Sequence, residues 1–211
     1  MDVKEHWEQV YRARPSNEMS WFEASSDVSL KLVRACQPSP DMPLIDVGAG
    51  ASVLVDQLLA EGLRNITLLD VSGAALAKTR DRLGTDAKRV RWIENDILEQ
   101  DFDSESFAIW HDRAVFHFLT DEARRHAYKK AASRSIMPGG HLIIATFAED
   151  GPQRCSGLDV RRYSLHELQT DFGDTFDLIE SLKITHTTPT GKPQQFNYLL
   201  LQKKRTFKPQ G

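Results

Sequence analysis

The sequence predicts an α/β fold: a mostly parallel sheet with helices on both faces. Three observations carry that expectation. Short apolar runs without polar alternation recur between amphipathic helical stretches, which is how strands buried on both faces read. A two-glycine turn, Gly48-Ala49-Gly50, follows the first of these runs and opens a helical pattern. The final third departs from the alternation, with two extended runs whose short connection "PTGKPQ" lets them pair as an antiparallel hairpin.

Each element follows from its local pattern. Trp7, Val10 and Tyr11 fall at helical spacing and Pro15 ends that helix. A loop, "SNEMSWF", leads to a second helical pattern through Leu30, Leu32 and Val33, which the prolines Pro38, Pro40 and Pro43 terminate. The chain then alternates: strand "PLIDV", helix "VLVDQLLAEG", strand "NITLLDV", helix "GAALAKTRDRLG", strand "RVRWIE", apolar run "SFAIW", helix "DEARRHAYKKAASRSI" and strand "HLIIATF". Helical "SLHELQTDF" precedes the two hairpin runs, "FDLIESLKITHTT" and "FNYLLLQKK".

A chain of 211 residues fits one domain burying roughly 70% of its unfolded surface. Its 40% hydrophobic and 27% charged residues describe a globular protein. The net charge of −3 argues against a nucleic-acid partner, and "KKRTFKPQG" reads as a solvated tail. Cys36 and Cys155 are too few for a disulfide framework and too far apart for a short-spaced metal pair, so reduced cytoplasmic thiols are expected and no metal. The charged N-terminus lacks the apolar core of a secretory signal, and no apolar run approaches the ~20 residues that cross a bilayer.

In an open α/β sheet, ligands sit beyond the carboxyl ends of the strands, which points to the Gly48–Gly50 turn. A dinucleotide turn wants a third glycine at position 53, where Val53 stands, and no phosphate-cradling G-x-x-x-x-G-K-[ST] loop is present. Asp46, two residues before Gly48, would repel a pyrophosphate and welcome an amine. Asp70 ends the second strand, where a carboxylate accepts bonds from ribose hydroxyls. Asp96 follows the third strand, placed to accept from an exocyclic adenine amine. An amine, a ribose and an adenine without phosphate describe S-adenosylmethionine.

"LIDVGAGAS", "LLDVS", "NDIL" and "MPGGHLIIATF", in this order and spacing, resemble the class I S-adenosylmethionine-dependent methyltransferases over roughly residues 40–148. The resemblance implies a Rossmann-like seven-stranded sheet with an antiparallel last strand. It also implies a methionine cradle at Gly48 and Gly50, a ribose acid at Asp70 beside Val71, and an adenine pair at Asp96 and Ile97. Ser52 replaces the last glycine of the usual turn and can still cap a helix. On this view residues 1–211 form one domain: a helical cap over 1–38, a cofactor-binding core over 39–148, and an acceptor-side loop with the C-terminal hairpin over 149–211.

The acceptor belongs at the end of the fourth strand, where "WHDRAVFHFL" packs His111, Asp112 and Arg113 between apolar residues. An Asp112–Arg113 structural pair explains the charges blandly; functionally, His111 or Asp112 would face the methionine amine or the acceptor. His117 reads as a core or rim histidine. Trp21, outside any amphipathic pattern, either packs on the core or walls off the methyl site as part of a lid. "HWEQVY", "SWFE" and "WHDRAVFHFL" are similar to methyltransferases near the thiopurine type and near protein-lysine types, including the citrate synthase type. Glu149, Asp150, Arg154, Cys155, Tyr163 and His186 are further candidates for the acceptor rim. The expected acceptor is a small molecule or a protein lysine. The competing readings are a regulator that binds S-adenosylmethionine without catalysis, and a nucleotide-dependent oxidoreductase, which Val53 opposes.

Overall fold

A computed structural model describes residues 2–205. The segment 206–211, most of the expected solvated tail, lies outside the described residues. The elements run α1 (Val3–Ala13), α2 (Asp27–Ala35), β1 (Leu44–Val47), α3 (Leu54–Ala60), β2 (Ile66–Asp70), α4 (Gly73–Leu83), β3 (Val90–Glu94), β4 (Phe107–Arg113), α5 (Glu122–Ser135), β5 (Ile136–Phe147), β6 (Arg154–Cys155), β7 (Leu158–Asp159), α6 (Leu165–Phe172), β8 (Phe176–Thr187) and β9 (Pro193–Lys203). Seven strands form one sheet in the order β3-β2-β1-β4-β5-β9-β8. β1 to β5 are parallel, and β9, the last strand, runs antiparallel to both β5 and β8.

Side chains of neighbouring strand residues enter opposite cores. Leu44, Ile143 and Leu200 pack with Leu30, Leu54 and Leu58 of α2 and α3 on one face. Ile45, Ile144 and Leu199 pack with Tyr128, Leu168 and Phe172 of α5 and α6 on the other. Two-sided burial is the physical reason these strands show no polar alternation. A third cluster joins Tyr11 and Met19 to Ala75 of α4, with Trp7 and Trp21 packed against it. Glu8 fixes α1 there: its carboxylate accepts from Ser72 Oγ (3.1 Å) and from the Ala74 amide (3.0 Å), at the start of α4. Lys4 pairs with Glu94 at the end of β3 (2.6 Å). The N-terminal helix is thereby strapped over the carboxyl ends of β2 and β3.

The structure extends two sequence expectations and adds a small ribbon. β4 runs past "SFAIW" through Arg113, because His111 and Asp112 find buried partners. β5 begins at Ile136 and takes in the Pro-Gly-Gly segment, with a register shift against β4 between Phe107 and Ile109. A Cβ on Gly140 would lie 2.9 Å from the Ala108 carbonyl oxygen, so this close pairing needs glycine. The β6–β7 ribbon was not legible as strands. It turns through Ser156 (φ 49°) and Gly157 (φ 82°), a two-residue connection with both residues left-handed.

Candidate functional site

The Gly48–Gly50 turn is tied to β2 by its own amides. Gly48 and Ala49 both donate to the Leu69 carbonyl (2.7 and 3.1 Å), and Gly50 donates to Asp70 Oδ2 (2.8 Å). Ser72 donates to Asp70 Oδ1 (2.8 Å), and its own hydroxyl caps α4 by accepting from Ala75 (3.1 Å). Both turn glycines are left-handed, with φ of 67° and 50°. A Cβ on Gly48 would sit 2.0 Å from Val115 Cγ2, and one on Gly50 would sit 2.4 Å from the Tyr11 hydroxyl. The protein's own packing therefore demands these glycines, in addition to any ligand. Burial pushes the Asp70 carboxyl up to about 7, against the two amide bonds that hold it down.

Above this turn lies a cavity of about 340 Å³. One end is lined by Asp70, Val71, Asn95, Asp96 and Ile97. Asp96 accepts from the Leu98 amide (2.9 Å) and from Arg124 (3.4 Å). Trp7, Tyr11, Trp21 and Phe118 wall the middle. Trp7 stands edge-on to Trp21 (5.6 Å, 82°) and to Phe118 (5.2 Å, 77°), and Tyr11 edge-on to Trp21 (6.1 Å, 73°). The far end is lined by Arg113, Phe147, Cys155, Leu158 and Phe196. Gly48 lines this cavity; Gly50 does not, and donates to Asp70, which does.

A second cavity of about 50 Å³ lies beyond the turn, lined by Asp46, His111, Ser29 and Glu23, and shares Gly48, Trp21 and Arg113 with the first. His111 Nδ1 lies 2.6 Å from Asp46 Oδ1, and its Nε2 lies 2.9 Å from Ser29 Oγ. Both ring nitrogens are engaged, and the imidazole is 3% exposed.

Asp112 lines neither cavity. Strand alternation turns it to the opposite face, where its carboxylate accepts from the Val115 (2.8 Å) and Phe116 (3.2 Å) amides and from the Tyr128 hydroxyl (2.5 Å). Burial raises it to about 6, opposed by these bonds. The Asp112–Arg113 pair considered from sequence does not form, for the same reason. Arg113 instead donates to Tyr198 Oη (3.0 Å), the Trp21 carbonyl (3.0 Å) and Glu23 Oε1 (2.9 Å).

Of the rim candidates, Cys155 alone reaches the large cavity, where burial pushes its thiol up to about 11. Glu149 and Arg154 line a surface depression. Lys183 pairs with Asp150 (3.0 Å). Tyr163 is fully buried in the α5–α6 core. His186 Nε2 bonds the Ser20 carbonyl (2.8 Å), holding the segment that carries Trp21. His117 is fully buried, lies edge-on to Phe118 and tilted against Phe147, and accepts from the Phe147 amide (3.2 Å). Desolvation, with Arg113 nearby, drives its imidazole down to about 3. Among the described residues no group of three or more His, Cys, Asp or Glu could hold a metal ion, and no helix is long and apolar enough to cross a membrane. The sequence reading missed Trp7, Tyr11, Arg113, Phe118, Phe147 and Phe196 as cavity residues. The one available signal was the density of aromatics among the first 22 residues.

Residues 44–140 match a family described as a methyltransferase domain. Nodulation protein S of Rhizobium tropici is 28% identical over 134 residues, 63% of this chain and 54% of that protein. The eEF1A lysine and N-terminal methyltransferase of Bos taurus is 23% identical over 151 residues, 69% of this chain and 21% of that protein. The chain thus spans about half of one relative's length and about a fifth of the other's. The solved structure of the N-methyltransferase NodS from Bradyrhizobium japonicum, in complex with S-adenosyl-L-homocysteine, superposes with a TM-score of 0.70 at 15% identity, over 96% of this chain and 99% of that one. Residues 44–140 thus match a methyltransferase domain, and the seven-stranded order with its antiparallel last strand is the fold of the solved methyltransferase structures that the chain resembles.

Proposed function

We propose that the protein transfers a methyl group from S-adenosylmethionine to a small-molecule or protein side-chain acceptor. The observation that carries this reading is one continuous cavity with a buried strand-end carboxylate at one end and an aromatic-walled chamber at the other. When bound, the cofactor supplies an electrophilic methyl on a sulfonium centre.

The chain's own residues do the rest. Each Asp70 oxygen accepts one amide bond and keeps a second lone pair for a ribose hydroxyl. Asp96 and Ile97 face the adenine position, beside Val71. Gly48 forms the floor under the methionine portion, whose amine is met by the buried Asp46–His111 pair. Trp21 walls off the reacting region from water. Asp112 is a positioning residue: it fixes the backbone of Val115, whose side chain packs on Gly48. We further assign the three segments 1–38, 39–148 and 149–211 to cap, cofactor core and acceptor side of one domain. A cytoplasmic location is supported by the two buried, unpaired thiols Cys36 and Cys155.

Calorimetry with S-adenosylmethionine, S-adenosylhomocysteine and NAD tests the cofactor. Both sulfur compounds should bind and NAD should not; binding of NAD alone overturns the reading. Asp70→Ala should weaken cofactor binding by about 1–3 kcal/mol, the cost of leaving ligand hydroxyls unpaired. Unchanged affinity in the folded variant removes Asp70 from the site. Transfer of labelled methyl to lysate fractions separates an enzyme from a regulator that only binds.

A further inference from the structure

The far end of the large cavity has an unusual charge inventory. Its walls are the rings of Trp21, Phe147 and Phe196 with Leu158 and Cys155, and the charged side chain set among them is Arg113, 12% exposed. Nearby carboxylates are already committed: Glu23 to Arg113 (2.9 Å), and Asp159 at the rim to Arg154 (2.9 Å). A guanidinium offers five N–H donors in one plane. Three are used, by Tyr198 Oη, the Trp21 carbonyl and Glu23, and these three bonds hold the group 4.7 Å above the Phe196 ring. The other two, one on each terminal nitrogen, have no hydrogen-bond partner among the described residues, and the side chain lines the cavity.

A buried donor left without a partner is costly, and a ligand that supplies one is selected strongly. An ammonium entering this chamber would find no uncommitted carboxylate and would face a fixed cation. An oxygen acceptor would complete the guanidinium, and an aromatic body would match the walls.

We propose that Arg113 is the specificity residue for the acceptor, and that the acceptor is an aromatic small molecule bearing a carboxylate, phenolate or carbonyl oxygen rather than a lysine side chain. This rests on the methyl-transfer reading above. The same guanidinium chemistry would suit the carboxylate of the cofactor's methionine, so the test must separate the two sources.

Benzoate, benzamide and benzylamine are titrated into the protein, free and saturated with S-adenosylhomocysteine. Benzoate should bind best, benzamide next, and benzylamine about tenfold or more weaker than benzoate. R113M should cost benzoate about tenfold in affinity while moving the S-adenosylhomocysteine Kd by less than about threefold, and R113K should recover part of the loss. The proposal is overturned if benzoate fails to bind, if benzylamine binds as well, or if benzoate ignores R113M. An equal loss of S-adenosylhomocysteine affinity in R113M overturns it too, by handing the guanidinium to the cofactor. Should R113M not fold, the three-ligand series on the wild-type protein decides alone. If S-adenosylhomocysteine itself does not bind, the methyl-transfer reading falls, and benzoate titration of the free protein still judges Arg113.

Discussion

At one end of the cavity Gly48, Asp70 and Asp96 come from three successive strand ends. At the other, Trp21, Arg113, Phe147, Cys155 and Phe196 come from a loop, three strands and a ribbon scattered between residues 21 and 196. The first end is made of backbone: left-handed glycines, amides donating to Asp70, and a helix start capped by Ser72. The second is made of side chains whose positions depend on one another. Trp21 is held through its carbonyl by Arg113, and its neighbour Ser20 by His186 of β8. A backbone-built end should break sharply under a single methyl group, whereas a side-chain-built end should lose function in grades.

Gly48→Ala probes that contrast most strongly. A Cβ there meets Val115 at 2.0 Å in a left-handed conformation, so a loss of about 2–4 kcal/mol in unfolding free energy is expected. It should come with loss of S-adenosylhomocysteine binding, and denaturant titration with calorimetry checks both. A variant of unchanged stability would mean the turn is less constrained than the packing implies. Trp21→Ala should act next, and differently. Labelled methyl transfer should fall about thirtyfold, roughly 2 kcal/mol, while cofactor affinity stays within about threefold. Equal losses in both would place Trp21 with the cofactor end.

The smallest effect is a pH dependence confined to the cofactor end. Burial pushes the Asp70 carboxyl up to about 7, and on the proposed reading it accepts ribose hydroxyls when ionised. Cofactor affinity should therefore rise about tenfold between about pH 6 and pH 8, and Asp70→Asn should flatten the profile. Stability of the free protein responds with the opposite sign. The folded-state value is raised, so Asp70 contributes most below the ordinary carboxylate range, and that contribution is lost as pH rises toward 7. Calorimetric titrations and melting curves across this range measure the two trends separately.

How much could be read in advance divides along the same line. Asp70 and Asp96 were legible as cavity residues because a strand end, its turn and the next helix are contiguous in sequence and obey local rules. Adjacency in sequence suggests an Asp112–Arg113 pair, but alternation along β4 sends the two to opposite faces. The β6–β7 ribbon escaped notice because four paired residues leave no periodicity to detect.

By itself, the sequence determined the layered sheet, the antiparallel close and the glycine turn between β1 and α3. Those rest on hydrophobic period, glycine conformation and charge within short windows. Only the tertiary structure decided that Asp112 supports the backbone, that His111 is engaged on both ring nitrogens, and that Arg113 lines the large cavity. Each outcome turns on which partner a buried polar group meets across the sheet. That partner is chosen by long-range packing, which no local pattern encodes.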